Sequence, residues 1–254
     1  MPNLYEKPKL TYFIIFVCIA VFLFEIYYGL LYGSFGSDEF KNGLSNLFSN
    51  YGFSFQNLLS GRYWILVTSV FLHADPEHLI LNMIALFFFG KVVEESLGRK
   101  KFLLIFFVSA IVGNLAFLTI SFLSSSLGTV VIGASAAIFG LMGTAMLVKP
   151  LEFVFYPYLI PVPLILVAVL YTLSNIASFL LVVTNIQESD ISYISHIGGL
   201  ATGMFFGFKE EKSKRGFIIL LFLLTILILT PLLWTILKYL EIFNYINVLS
   251  SFFR

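Results

Sequence analysis

Seven stretches of apolar residues, near 10–31, 76–90, 102–123, 130–148, 159–183, 191–208 and 217–237, dominate this 254-residue chain. Most reach or approach the roughly 20 residues that a helix needs to cross the ~30 Å hydrocarbon core of a bilayer. Because each run is continuous rather than alternating with period two, a bundle of membrane-spanning helices is expected and a barrel is not. The composition agrees: 59% of the residues are hydrophobic and only 11% are charged, which removes soluble domain classes from consideration. A net charge of +1 gives no reason to expect a nucleic-acid partner.

The first run follows Lys7 and Lys9 and is longer than a signal-peptide core, so it reads as a retained first helix. Its Cys18 is the only cysteine. An intrachain disulfide is therefore impossible, and a packed thiol is the plain reading. With the N-terminus inside, eleven of the fifteen Lys and Arg fall on the inner side. Lys41, Arg62, Lys238 and Arg254 are left outside. That asymmetry predicts an inner N-terminus and, after seven crossings, an outer C-terminus. The loop at 32–63 is too long for a minimal connection and carries Leu44, Leu47, Phe48, Leu58 and Leu59. It reads as an element lying in the outer interface. Residues 209–216 ("KEEKSKRG") read as a solvated inner linker.

Polar residues inside such runs need partners or work to do. The chain has three histidines. His78 and Asn82, four apart, share one face of the second run, with His73 just before it. Ser135 and His196 each fall about one turn below the outer start of the fourth and sixth runs, roughly 5–8 Å deep at 1.5 Å per residue. A serine, a histidine and a His/Asn pair thus occupy one layer. Small residues surround them: Gly133, Ala136, Ala137, Gly140 and Gly143 on the fourth run, Gly199, Gly203 and Gly207 on the sixth. Such ridges let helices touch. They would also let a serine hydroxyl reach an imidazole. Taken singly, the serine reads as a packing residue and the histidine as a structural hydrogen-bonder. Together they suggest Ser135 as nucleophile and His196 as general base, with His78 and Asn82 donating to an oxyanion. No carboxylate shares the layer. Glu25 lies in the first run, Glu94 and Glu95 at the inner end of the second, and Asp190 is poorly placed six residues before His196, so a dyad is favoured over a triad. No H-E-x-x-H motif is present, His73 and His78 do not have helical ligand spacing, and neither metal nor cofactor is expected. Nor do ionisable residues mark a path through the midplane, as a transporter would require.

These residues, in this order, resemble the rhomboid intramembrane serine proteases over roughly Gly61 to Gly207. The likeness rests on "YWILVTSVFLHADPEHLILNM", "EESLGRKKF", "GNL" at 113–115, "GASAAIFGLMG" and "SHIGGLATG". It implies an all-α polytopic membrane bundle: a six-helix core over 1–208, a cytoplasmic linker at 209–216, and a seventh helix and tail over 217–254. It also implies Ser135 and His196 as the catalytic dyad, and His78, Asn82 and the Ser135 backbone N–H as the oxyanion site. By the same likeness His73 shapes the cavity and Glu94 is a structural hydrogen-bonder. Phe139 stands where relatives place an aromatic ring on the histidine. The implied partners are transmembrane protein substrates and the lipid bilayer, with a prokaryotic cell membrane as the expected location. The alternative is an inactive relative that binds transmembrane clients. Two positions depart from the family pattern. Trp64 is followed by Ile65 instead of arginine, so the first loop must be held otherwise, or by Arg62. Ala136 follows the serine where glycine is usual, placing a methyl at a tight contact.

Overall fold

The computed structural model describes residues 8–123, 128–156, 160–183 and 192–210. The predicted seventh helix and tail, residues 211–216 of the linker, and the loop carrying Glu188 and Asp190 lie outside the described residues.

The structure is mostly helical. In chain order it comprises α1 (Lys9–Leu30), α2 (Asp38–Tyr51), α3 (Phe55–Leu59), α4 (Ile65–Thr68), α5 (Pro76–Ala85), a π-helical turn (Leu86–Gly90) and α6 (Lys91–Leu97). It continues with α7 (Arg99–Leu123), α8 (Ser135–Val148), strands β1 (Phe153–Tyr156) and β2 (Ile160–Pro163), α9 (Leu164–Val183) and α10 (Ser192–Glu210). Helices thus occupy the first six apolar runs, and Lys9–Leu30 and Arg99–Thr119 are each long and apolar enough to cross a membrane.

Local chemistry sets several boundaries. Ser37, Ser54 and Asp75 cap α2, α3 and α5 by accepting from the backbone N–H three residues on, and Pro76 occupies the first turn of α5. Gly98 ends α6 at φ 80°, a left-handed conformation that only glycine adopts freely, so α7 turns back directly. Two expectations are corrected. The fourth run is not helical from its start: residues 130–134 lie outside the helix, with Phe53 and Val131 paired as an antiparallel bridge, Gly133 at φ 114° and Ala134 as the N-cap, and Ser135 is the first residue of α8. The fifth run opens as an antiparallel hairpin, Phe153 opposite Pro163 and Tyr156 opposite Ile160. Pro161 and Pro163 fall in its second strand and α9 waits until Leu164.

The centre of the bundle is α8, in which every residue from Ala136 to Leu147 is buried. A helix apolar on all sides belongs in the middle. The face of α1 bearing Phe13, Phe16, Leu23 and Tyr27 is exposed, as suits a surface turned to lipid. Helices α8 and α10 meet backbone to backbone. A Cβ at Gly199 would collide with the Ala136 carbonyl, and one at Gly203 with the Gly140 carbonyl. Thr144 ties the seam, its Oγ1 donating to the carbonyls of Gly140 (3.0 Å) and Gly203 (2.9 Å).

At the opposite end from Ser135, Glu94 is fully buried and holds the start of α1. Its carboxylate accepts from the backbone N–H groups of Leu10 (2.9 Å) and Thr11 (2.7 Å) and from the Thr11 hydroxyl (2.8 Å), with Arg99 Nε 3.7 Å away. No side chain of its own caps α1, so Glu94 supplies the missing acceptor from elsewhere in the chain. Glu94→Ala should cost roughly 3 kcal/mol, because two backbone donors and a hydroxyl lose a charged acceptor at once. Thermal unfolding in detergent would register it as a lower midpoint.

Candidate active site

Gly133 and the first turn of α8 build the site. Gly133 adopts φ 114°, a region disfavoured for any residue with a Cβ. Its N–H donates to the Ser69 carbonyl at 2.8 Å. This kink, with the Phe53–Val131 bridge, ends the bridged segment and starts α8 at Ser135. No side chain caps α8, so its first N–H groups and the positive end of its dipole accompany the serine.

Ser135 Oγ lies 2.7 Å from His196 Nε2. His196 sits four residues into α10, and its ring stacks on Phe139 with centroids 4.5 Å apart and planes 7° apart. Tyr193 meets the same ring edge-on at 6.2 Å. The hydroxyl and imidazole are neighbours only because Gly199 and Gly203 let α10 lie directly on α8.

Ser135 and His196 open into a cavity of about 560 Å³, whose lining also includes His78, Asn82, Phe139, Tyr171 and Tyr193. The His78 ring packs against the Gly133 backbone: a Cβ there would stand 2.7 Å from His78 Nε2. Asn82 is buried, and its Nδ2 donates to the His78 carbonyl at 2.9 Å. His73 does not line the cavity. It is fully buried one layer behind, its ring edge-on to His78 with centroids 5.2 Å apart, because the turn before α5 folds inward against α1.

Both departures from the family pattern have a visible accommodation. The methyl of Ala136 points to Gly113 of α7, where an added Cβ would come within 2.9 Å of it. The space one glycine would have left is supplied by another, from the "GNL" stretch. The first loop is held by Arg62, whose Nη1 donates to Asn50 Oδ1 (3.0 Å) and Asn57 Oδ1 (3.3 Å), while Trp64 Nε1 donates to the Asn50 carbonyl (3.3 Å).

Sequence reasoning missed Tyr171 and Tyr193 in the lining, Ser69 as the anchor of Gly133, and Thr144 between the helices. The tyrosines read as ordinary apolar-run aromatics. Ser69 acts through its backbone carbonyl and Thr144 through a hydroxyl whose partners are backbone carbonyls, and sequence spacing reveals neither. Among the described residues no group of three or more His, Cys, Asp and Glu is arranged to hold a metal ion.

The Rhomboid domain family matches residues 60–213, more than half of the chain. The Bacillus subtilis rhomboid-family protein YdcA is 31% identical over 165 residues, covering 61% of this chain and 72% of that protein. Rhomboid-like protein 12 of Arabidopsis thaliana, a mitochondrial protein, is 29% identical over 184 residues, covering 67% of this chain and 53% of its own length. Rhomboid protease AarA of Providencia stuartii is 28% identical over 205 residues, 76% of this chain and 69% of that protein. The chain belongs to the rhomboid family, a family of helical membrane proteins. Relatives named as proteases support hydrolysis of peptide bonds as its activity. Because they include a plant mitochondrial protein, they do not carry the expectation of a prokaryotic source.

The Phe139 stack has a measurable consequence. Phe139→Ala removes the face that fixes the imidazole plane and should lower kcat about tenfold, the equivalent of ~1.4 kcal/mol. Phe139→Tyr keeps the ring and should stay within about twofold. Cleavage kinetics on one substrate would check both.

Proposed function

We propose that this protein is an intramembrane serine protease that hydrolyses peptide bonds in or near the transmembrane segments of other membrane proteins. The observation that carries the reading is the 2.7 Å contact between Ser135 Oγ and His196 Nε2 at the floor of a cavity. In this reading His196 Nε2 takes the hydroxyl proton as Oγ attacks the scissile carbonyl. The oxyanion that forms is met by the Ser135 N–H at the start of α8, by His78 and by Asn82. The imidazolium returns its proton to the departing amine, and a water activated by the same imidazole then releases the acyl group from Ser135.

The substrate must present an unwound backbone, since a helix hides its carbonyls in i→i−4 bonds. Substrates with Gly, Pro or polar residues near the outer end of a span should therefore be favoured. The arrangement is that of a six-helix core over 1–208 with the first loop in the outer interface, a cytoplasmic linker at 209–216 and a seventh span within 217–254. The N-terminus is inside and the C-terminus outside. The shared end of the bundle that carries Lys9, Arg99, Lys101 and Glu94, with Lys101 paired to Glu210 at 2.6 Å, supports that polarity. The second reading, an inactive binder of transmembrane clients, is disfavoured by the hydrogen-bonded serine and histidine.

The test is incubation of the purified chain in liposomes with a panel of single-span substrates, beside Ser135→Ala and His196→Ala. Cleavage by the wild type alone is expected. Binding without cleavage would support the client-binding reading.

A further inference from the structure

The cavity wall formed by α5 changes character along its length. Asp75 caps the helix and Glu77 stands in its first turn, both exposed and both lining the cavity, whereas Leu81, Ala85 and Phe89 line it farther along. At 1.5 Å per residue, Glu77 and Ala85 lie about 12 Å apart along the helix axis, so carboxylates give way to apolar side chains over that distance. No lysine or arginine is among the described residues that line the cavity. Val130 and Ile132 also border a second groove of about 370 Å³ that contains Lys41, but Lys41 Nζ already lies 3.7 Å from Asp38 Oδ1. The mouth of the cavity is therefore acidic.

Other carboxylates have work in the fold. Glu25 is buried and its Oε1 accepts from the backbone N–H of His73 at 3.1 Å. Glu94 holds the start of α1, and Asp75 Oδ1 accepts from the His78 N–H at 2.8 Å. Glu77 differs from all three: no hydrogen bond or ion pair engages its side chain among the described residues. An acidic residue in a first turn complements the helix dipole. That explains a charge at the start of α5, but not its place on the wall that leads to the nucleophile. The ligand this wall would meet is indicated independently by Ser135 Oγ and His196 Nε2, 2.7 Å apart in the same cavity. It is a polypeptide with a carbonyl to be attacked.

We propose that Asp75 and Glu77 select substrates carrying a lysine or arginine on the outer side of the cleaved bond, within about three residues of it, since three residues of extended chain cover ~10 Å. The proposal rests on the protease reading, which supplies the cleaved bond, and on the outward placement of this end of the bundle. Membrane spans concentrate Lys and Arg on their cytoplasmic flanks. An acidic outer mouth thus favours the minority of spans that carry a basic residue on the other flank. Low-dielectric walls around the mouth strengthen the attraction relative to an open surface. The substrate's charge does not change as the bond breaks, so the interaction is made equally in the bound state and the transition state. Its effect falls on KM and leaves kcat alone.

The experiment uses the full chain in zwitterionic liposomes and one single-span peptide whose cut is mapped by mass spectrometry, made with Lys, Gln or Glu at the second residue outside that cut. The Lys form should exceed the Glu form about tenfold in kcat/KM, nearly all of it in KM, with Gln between them. Raising the salt from about 0.05 M to about 0.5 M should bring that ratio below about threefold. Glu77→Lys should reverse the order. Should that variant not fold, Asp75→Asn with Glu77→Gln, which keeps a cap oxygen for the His78 N–H, should bring the ratio to within about twofold of one. A carboxylate serving only the helix dipole would lower stability and leave the ratio where it stands. A wild-type ratio near one, or a ratio that survives these substitutions, overturns the proposal. If the wild type cleaves none of the three peptides, the protease reading fails and the charge preference is read from binding instead, by fluorescence anisotropy of the labelled peptides with the same chain in micelles. Tighter binding of the Lys form that is lost in the double variant keeps the acidic mouth as a client-binding surface; equal affinities overturn it.

Discussion

Ser135→Ala and His196→Ala are each expected to lower turnover of a single-span substrate by about 10⁴-fold or more, and the double variant to be no slower than either. The reason is geometric. At 2.7 Å the hydroxyl and the imidazole share one hydrogen bond, so a base without its nucleophile has no proton to take, and a serine without its base is a neutral alcohol. Two groups that acted independently would multiply their losses. KM should change little, because the cavity formed by Tyr171, Tyr193, Phe139 and the 129–132 segment remains. Single-turnover cleavage in liposomes would separate the two terms, and multiplicative losses would mean that the pair does not act as a unit.

The second large effect is expected at a residue that touches no substrate. Gly203→Ala should cost about 2–3 kcal/mol of stability and lower the activity of the molecules that remain folded by about a hundredfold. An added Cβ would run into the Gly140 carbonyl, which is backbone and cannot swing aside. Helices α8 and α10 would have to part, stretching both the Thr144 bridge and the Ser135–His196 contact. Gly128→Ala is the control, since a Cβ there meets nothing within 4 Å. Denaturation in mixed detergent, with cleavage normalised to the folded fraction, would measure both. Equal activity in the two variants would show that the site does not depend on close approach at this seam.

Much of this arrangement could be read from the chain because membrane helices declare themselves by length and hydropathy, and because a glycine ridge on one helix implies a neighbour at close range. The contacts of Gly199 and Gly203 with α8 follow from the small residues at their spacing. Other features depended on partners far away in sequence. The late start of α8 comes from the Gly133 kink and a bridge to Phe53, and neither leaves a mark in a run of uniformly apolar residues. The β1–β2 hairpin hides for the same reason: "FVFY" and "IPVP" are as apolar as the helix that follows. Ala136 reads as an obstruction until Gly113 is found opposite its methyl. Arg62 was recognisable as a candidate for holding the first loop, whereas Asn50 and Asn57 as its partners were not. His73 is the clearest lesson. Its place in the motif suggested a cavity wall, but its burial against α1 sets it behind His78, because Glu25 offers its backbone an acceptor there.

The most direct test of the account is the reaction of the purified chain with a fluorophosphonate, read by peptide mass spectrometry. The account predicts a stoichiometric adduct on Ser135 that disappears in His196→Ala and slows in Gly203→Ala. An adduct on another residue, or none on Ser135 in a folded wild-type protein, would contradict it.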